Sequence, residues 1–208
     1  MYKFPVISDS HVGDRLSSLP TPLLETLNRG KYDFICHTGD ISVERVLGQL
    51  NEIAPTIAVK GDADHRIRGL RQFEKIVVDR KTIILTHGDR PWRKEYPSKV
   101  VNKALGYLGL GLRWWNGYAQ DLYKSFISER PDIIFCGHLH KSFIERQNDT
   151  LVINPGAVYV TGRGVQHGFL PSFAILTIDQ SISVEFISLE LCTHLVRAKL
   201  KVVTSYAR

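Results

Sequence analysis

Cysteine is scarce in this chain of 208 residues, with only Cys36, Cys136 and Cys192. Three thiols cannot pair evenly and no CxxC spacing occurs, which argues against a disulfide framework or a thiolate zinc site and for a reducing compartment. Long apolar runs are missing too: none reaches the ~18 residues of a membrane span. Met1 to Ser8 lacks both the basic and the extended apolar region of a signal peptide, so the expected location is the cytoplasm. There is no internal repeat and no low-complexity tract. A composition 43% hydrophobic and 23% charged excludes wholesale disorder. Acidic residues are the minority, 21 against 27 Lys and Arg, and the net charge of +6 favours anionic partners: phosphate compounds, nucleic acid or acidic membrane surface. A chain this long buries roughly two-thirds of its unfolded surface and suits a single domain, here residues 1–208.

The punctuation is strand, loop, helix, repeated. Short apolar strands are predicted at 2–8, 34–37 and 56–60. They are separated by a helix over 21–29, with Pro20 and Pro22 at its start and Gly30 at its end, and by a second helix capped by Ser42 and running to about Ile53. Strands follow at 75–79, 82–87, 133–136, 142–147, 151–154, 173–179 and 183–189, the last two forming a hairpin that turns near Gln180 and Ser181. Alternation first and tight strand pairs later argue an α/β chain with two sheets packed in layers and helices outside.

One segment breaks the rhythm. Residues 89–130 have no strand character, carry all three tryptophans, and hold eight basic against four acidic side chains. A long insertion of this kind inside a domain is usually functional. Following His87 directly, it is expected to cap the site described next. Three readings fit it: a helical lid, a contact for an acyl chain or membrane surface, or aromatics that stack nucleobases.

Where the apolar strands stop, metal-competent residues recur: Asp9 and His11, then Asp40, Asp62, His87, and finally His138 and His140. The carboxyl ends of strands in open α/β sheets form the ligand crevice, so these seven side chains can converge there. Mixed Asp and His donors in that number suit two divalent cations sharing one carboxylate, with Mn favoured and Fe or Zn as alternatives.

The series Asp9-x-His11, Gly39-Asp40, Gly61-Asp62-x-Asp64, Thr86-His87-Gly88 and Gly137-His138-x-His140 resembles the calcineurin-like metallophosphoesterase superfamily. Asn154-Pro155-Gly156 and Pro171-Ser172-Phe173-Ala174 are similar to its small single-domain bacterial and archaeal phosphodiesterases. The likeness spans residues 2–88 and about 131–190. It implies a four-layer α/β/β/α sandwich; with segment 89–130, outside the likeness, the expected fold is that sandwich with a helical cap insertion. It assigns Asp9, His11 and His140 to one metal, Asp62, His87 and His138 to the other, and Asp40 to both. The implied reaction is hydrolysis of phosphodiesters by a hydroxide shared between the metals, with Asp40 and Asp62 in the catalytic centre.

Two departures matter. Asp62 stands where the family usually has Asn, which adds negative charge to the centre. Ala63 stands where many relatives have His or Cys near the leaving group, so His37 and His65 are the candidate acids, unless no protein group serves; His37 reads more readily as a core histidine. A missing acid favours good leaving groups, such as activated diesters or pyrophosphates. Arg163 and His167 are candidates for the substrate mouth, with Trp92 and Arg93 from the cap. The expected partner is a small phosphorylated substrate, with lipid or membrane-surface contact through the cap as a further expectation. The absence of a DNA-binding extension disfavours nucleic acid. Two alternatives remain: a nucleotide or lipid pyrophosphatase, since UDP-diacylglucosamine pyrophosphatases carry an insertion at the same point, and a non-catalytic interaction scaffold like the retromer subunit of this fold.

Overall fold

The computed structural model describes residues 1–89, 117–166, 168–189 and 199–200. Its elements are β1 (Tyr2–Ile7), α1 (Thr21–Arg29), β2 (Ile35–His37), α2 (Arg45–Asn51), β3 (Thr56–Ala58), β4 (Phe73–Val78), β5 (Lys81–Thr86), α3 (Tyr118–Phe126), a 3₁₀ turn (Ile127–Glu129), β6 (Ile133–Phe135), β7 (Phe143–Gln147), β8 (Thr150–Asn154), α4 (Gly162–Gln166), β9 (Ser172–Ile178), β10 (Ile182–Ser188) and β11 (Lys199–Leu200). They form two sheets, a six-stranded one in the order β11-β10-β9-β1-β2-β3 and a five-stranded one in the order β4-β5-β6-β8-β7. In the first, β1, β2 and β3 run parallel while β9 joins β1 antiparallel. In the second, β5, β6 and β8 are parallel, with β4 and β7 antiparallel at the edges.

Period-two alternation distributes each strand between two cores. Phe4 and Val6 of β1, Ile83 and Leu85 of β5, Ile133 and Phe135 of β6 and Leu176 of β9 fill the space between the sheets. Ile7, Ile35, Phe173 and Ile175 face the other way, onto Leu23 and Leu27 of α1 and Val46 and Leu50 of α2. On the far side, Ile84, Ile134 and Val152 meet Tyr118, Ala119 and Leu122 of α3. Three apolar interfaces separate four layers, the expected α/β/β/α sandwich. Among the described residues no helix is long and apolar enough to cross a membrane.

Two expectations change. Ser42 does not cap α2, which starts at Arg45 after Glu44. Its backbone is left-handed (φ 71°) and its N–H donates to Asp64 Oδ1 at 2.7 Å, so that residue serves the neighbouring loop instead. Within segment 89–130, residues Tyr118–Phe126 are not a cap: as α3 they form the outer layer over the second sheet. The remainder of the expected cap, residues 90–116 with Trp92 and Arg93, lies outside the described residues.

Candidate metal centre

The C-terminal ends of β1, β2 and β3 in one sheet face those of β5 and β6 in the other, and the loops that follow are tied backbone to backbone. Asp9 N–H donates to the Gly39 carbonyl, His11 N–H to the Asp40 carbonyl and Gly137 N–H to the His87 carbonyl, each at 3.0 Å. Five residues of these loops, Asp9, His11, Asp40, His138 and His140, have φ between 47° and 67°. Left-handed backbone at non-glycine residues is disfavoured and clusters where function holds it in place. Glycine is needed at 137 for another reason: a Cβ there would collide with the Ser8 hydroxyl and crowd Asp9.

All seven side chains converge. Ligand-capable atoms of Asp9, His11 and His140 lie within 4.8 Å of one another; so do those of Asp62, His87 and His138, and those of Asp9, Asp40 and His87. His140 Nε2 is 3.1 Å from Asp9 Oδ1. The two oxygens of Asp40 face different clusters, Oδ2 lying 3.5 Å from His11 Nε2 and Oδ1 3.5 Å from His87 Nε2. His138 Nδ1 lies 3.5 Å from Asp62 Oδ2.

The surroundings aim these atoms. Asp9 Oδ2 accepts the Ser8 hydroxyl and the His138 N–H, which turns Oδ1 inward. His87 Nδ1–H donates to the Thr38 carbonyl at 2.8 Å, leaving Nε2 directed at Asp40. Both inward atoms, Asp9 Oδ1 and His87 Nε2, are buried without a hydrogen bond. Buried ligand atoms left without a hydrogen bond, nitrogen and oxygen mixed and turned toward one another, fit a divalent cation. Charge agrees. Burial opposes ionisation of Asp9, but His140, His87 and the Ser8 hydroxyl outweigh it and hold the carboxyl far below its ordinary value. Burial likewise opposes the charge on His87, yet the Asp40 and Asp9 carboxylates push its pKa up to about 10. A cation at this place would displace that proton, so metal uptake and proton release are coupled.

Asp64 has a role that motif reading leaves open. Fully buried, it accepts four backbone N–H groups: Asp40 and Gly61 on Oδ2 at 2.9 and 2.8 Å, Ile41 and Ser42 on Oδ1, both at 2.7 Å. It clamps the Asp40 loop. Asn154 bridges two further loops, donating to the Gly137 carbonyl and accepting the Gly156 N–H. The Tyr159 ring stands edge-on to His11, 6.1 Å between centroids.

The candidate acids fare differently. His37 is fully buried; its Nδ1 accepts the Gly39 N–H, and its Nε2–H donates to Ser10 Oγ at 3.1 Å. Both nitrogens are used inside the protein, which corrects the reading of His37 as an acid: it is a core histidine. Burial lowers its pKa to about 4 although Asp64 and Asp9 oppose this. Because the unfolded value is near 6.5, stability is complete above that pH and falls as pH drops towards 4, by about 1 kcal/mol per unit at first. His37→Gln should flatten this acid limb, measured as urea midpoints at pH 7 and pH 5; an unchanged slope would refute the assignment. His65 is exposed beside the Asp64 turn and makes no hydrogen bond or ion pair among the described residues. Arg163 lies in α4, but its side chain, like His167 as a whole, is outside the described residues. Cys36 and Cys136 are buried, and burial raises both thiol pKa values, as befits inert filler.

The model of the calcineurin-like phosphoesterase superfamily domain matches residues 2–181. The chain belongs to that superfamily. A protein named a probable metallophosphoesterase in Methanocaldococcus jannaschii is 27% identical over 154 residues; the match covers 73% of this chain and 66% of the relative's length. Two solved structures share the superfamily fold. Wild-type Vps29 of Entamoeba histolytica, complexed with Zn²⁺, has a TM-score of 0.69 at 24% identity, covering 96% of this chain and 98% of its own. A novel archaeal phosphodiesterase has 0.59 at 22%, covering 90% and 99%.

Proposed function

We propose that this superfamily member is a phosphodiesterase dependent on two divalent cations, Mn in the first place and Fe or Zn as substitutes, acting on a small phosphorylated molecule. The observation that supports this most is that a third group, Asp9, Asp40 and His87, joins the two ligand clusters, sharing Asp9 with one and His87 with the other. Asp9, His11 and His140 would hold one cation and Asp62, His87 and His138 the other, with one Asp40 oxygen toward each. Bound there, such cations supply Lewis acidity toward a phosphoryl group and lower the pKa of water.

The chain's own residues account for the rest. Ser8 and the His138 N–H fix the Asp9 carboxylate, Thr38 sets the tautomer of His87, and Ala63 N–H holds Asp40 Oδ1 at 2.7 Å. No proton donor stands at position 63, and His37 is occupied inside the fold. This favours substrates whose leaving group departs without protonation, such as activated diesters and pyrophosphates. The phosphodiesterase named among the structural neighbours agrees with this reading. The likeness to Vps29 keeps an interaction scaffold as the second reading.

With Mn supplied, the protein is expected to hydrolyse bis(4-nitrophenyl) phosphate faster than the monoester. A UDP-lipid pyrophosphate, with and without detergent, tests the pyrophosphatase and lipid-contact variants. Inactivity toward all three with Mn, Fe and Zn would overturn the phosphoesterase reading in favour of the scaffold.

A further inference from the structure

An imidazole that binds a cation through one nitrogen depends on what its other nitrogen meets. For His87 that partner is the Thr38 carbonyl, part of the backbone. For His11 it is different. Its Nε2 is turned into the centre, 3.4 Å from His140 Nε2, 3.5 Å from Asp40 Oδ2 and 4.0 Å from Asp9 Oδ1. A neutral imidazole that offers Nε2 to a cation carries its proton on Nδ1. That Nδ1 is buried and makes no hydrogen bond among the described residues. Facing it at 3.7 Å is Oδ2 of Asp14, whose side chain is half exposed and belongs to no ligand cluster.

The local backbone sets this approach. The His11 carbonyl accepts the Arg15 N–H at 2.7 Å and the Leu16 N–H at 3.1 Å, which folds residues 11–16 into a tight turn. Gly13 makes that turn possible with a left-handed φ of 87°, and a Cβ there would meet Val43 Cγ1 at 2.7 Å. Asp14 is thereby brought back beside the ring three residues before it. Arg15 Nε donates to the same Oδ2 at 3.1 Å. A shift of about half an ångström brings His11 Nδ1 and Asp14 Oδ2 within hydrogen-bond range.

We propose that Asp14 is a positioning residue for the metal centre: its carboxylate takes the Nδ1–H of His11, fixes the ring with Nε2 inward and makes that nitrogen a stronger ligand. The inference rests on the two-cation reading and adds a residue that touches neither cation nor substrate. A carboxylate draws on an N–H more strongly than a neutral carbonyl does, so it raises the basicity of the ring further. The two clusters are therefore supported differently. His87 relies on a backbone carbonyl, which no substitution removes, and His11 on a side chain, which one does. One cation position can be weakened without the other.

Calorimetric titration of Mn into the metal-free protein is the test. Asp14→Ala should weaken one of the two binding steps roughly 10–100-fold and leave the other at its wild-type affinity. Asp14→Asn should fall between, because its amide oxygen still accepts but carries no charge. A second readout identifies the ring. In the Zn-loaded protein, proton NMR of the Asp14→Ala variant should show the His11 Nδ1–H resonance moved upfield. The His87 Nδ1–H, held by Thr38, should stay where it is. Wild-type affinity at both steps in Asp14→Ala, equal weakening of both, or an unmoved His11 resonance would each overturn the role of Asp14 and leave the two-cation reading standing. A wild-type protein that takes up fewer than two cations would overturn that reading and this inference with it.

Discussion

Asp40→Ala is expected to abolish phosphodiester hydrolysis and to lower Mn affinity by more than the 10–100-fold typical of losing a group behind the ligands. The reason is its position. Its two oxygens lie 3.5 Å from His11 Nε2 and from His87 Nε2, so one side chain serves both clusters. Removal also takes away the partner that drives His87 toward its protonated form, so the variant should release fewer protons on whatever metal it still takes up. Turnover, metal content and proton release in buffers of different ionisation enthalpy measure these effects. Asp40 has φ 57°, a conformation Asn adopts more readily than Ala, so Asp40→Asn separates loss of charge from loss of the loop. Wild-type turnover in either variant would refute the shared-carboxylate centre.

The second large effect is expected at Asp64, which belongs to no ligand cluster. Asp64→Ala leaves four backbone N–H groups, three of them buried, without their acceptor. At roughly 1–3 kcal/mol for each unsatisfied buried donor, partly relieved by water entering the space, a loss of about 4 kcal/mol follows. That is a large share of a domain stability of about 5–15 kcal/mol. Asp64→Asn should recover part of it, since the amide oxygen still accepts while the amide nitrogen faces two N–H donors. Urea denaturation gives the stability, and Mn titration of the folded Asn variant tests the coupling to Asp40. The expectation there is weakened binding, because two of the four N–H groups belong to Asp40 and Ile41. Wild-type Mn affinity in that variant would limit Asp64 to a purely structural role.

How much of this was readable beforehand differs from feature to feature. The α1 boundary, with Pro22 early and Gly30 at the end, is local chemistry and came out as expected. So did the hairpin of β9 and β10. The convergence of Asp9, His11, Asp40, Asp62, His87, His138 and His140 was legible too, since each follows a strand and strand ends gather at one edge of a layered sheet. Ser42 misled because a serine before an apolar run is an N-cap signal, and its backbone was instead recruited by a carboxylate 22 residues away.

What stayed hidden shares one physical cause. Alternation along a strand specifies which face a side chain takes, because the period is a property of the local backbone. It carries nothing about which group stands opposite once two sheets close on each other. That a backbone carbonyl of Thr38 sets the tautomer of His87 follows from that closure, while the Ser10 contact of His37 and the cover of α3 over the second sheet follow from other meetings of distant segments. Residue types and their order were enough to name the chemistry. The burial and the hydrogen bonds arise only where distant parts of the chain meet.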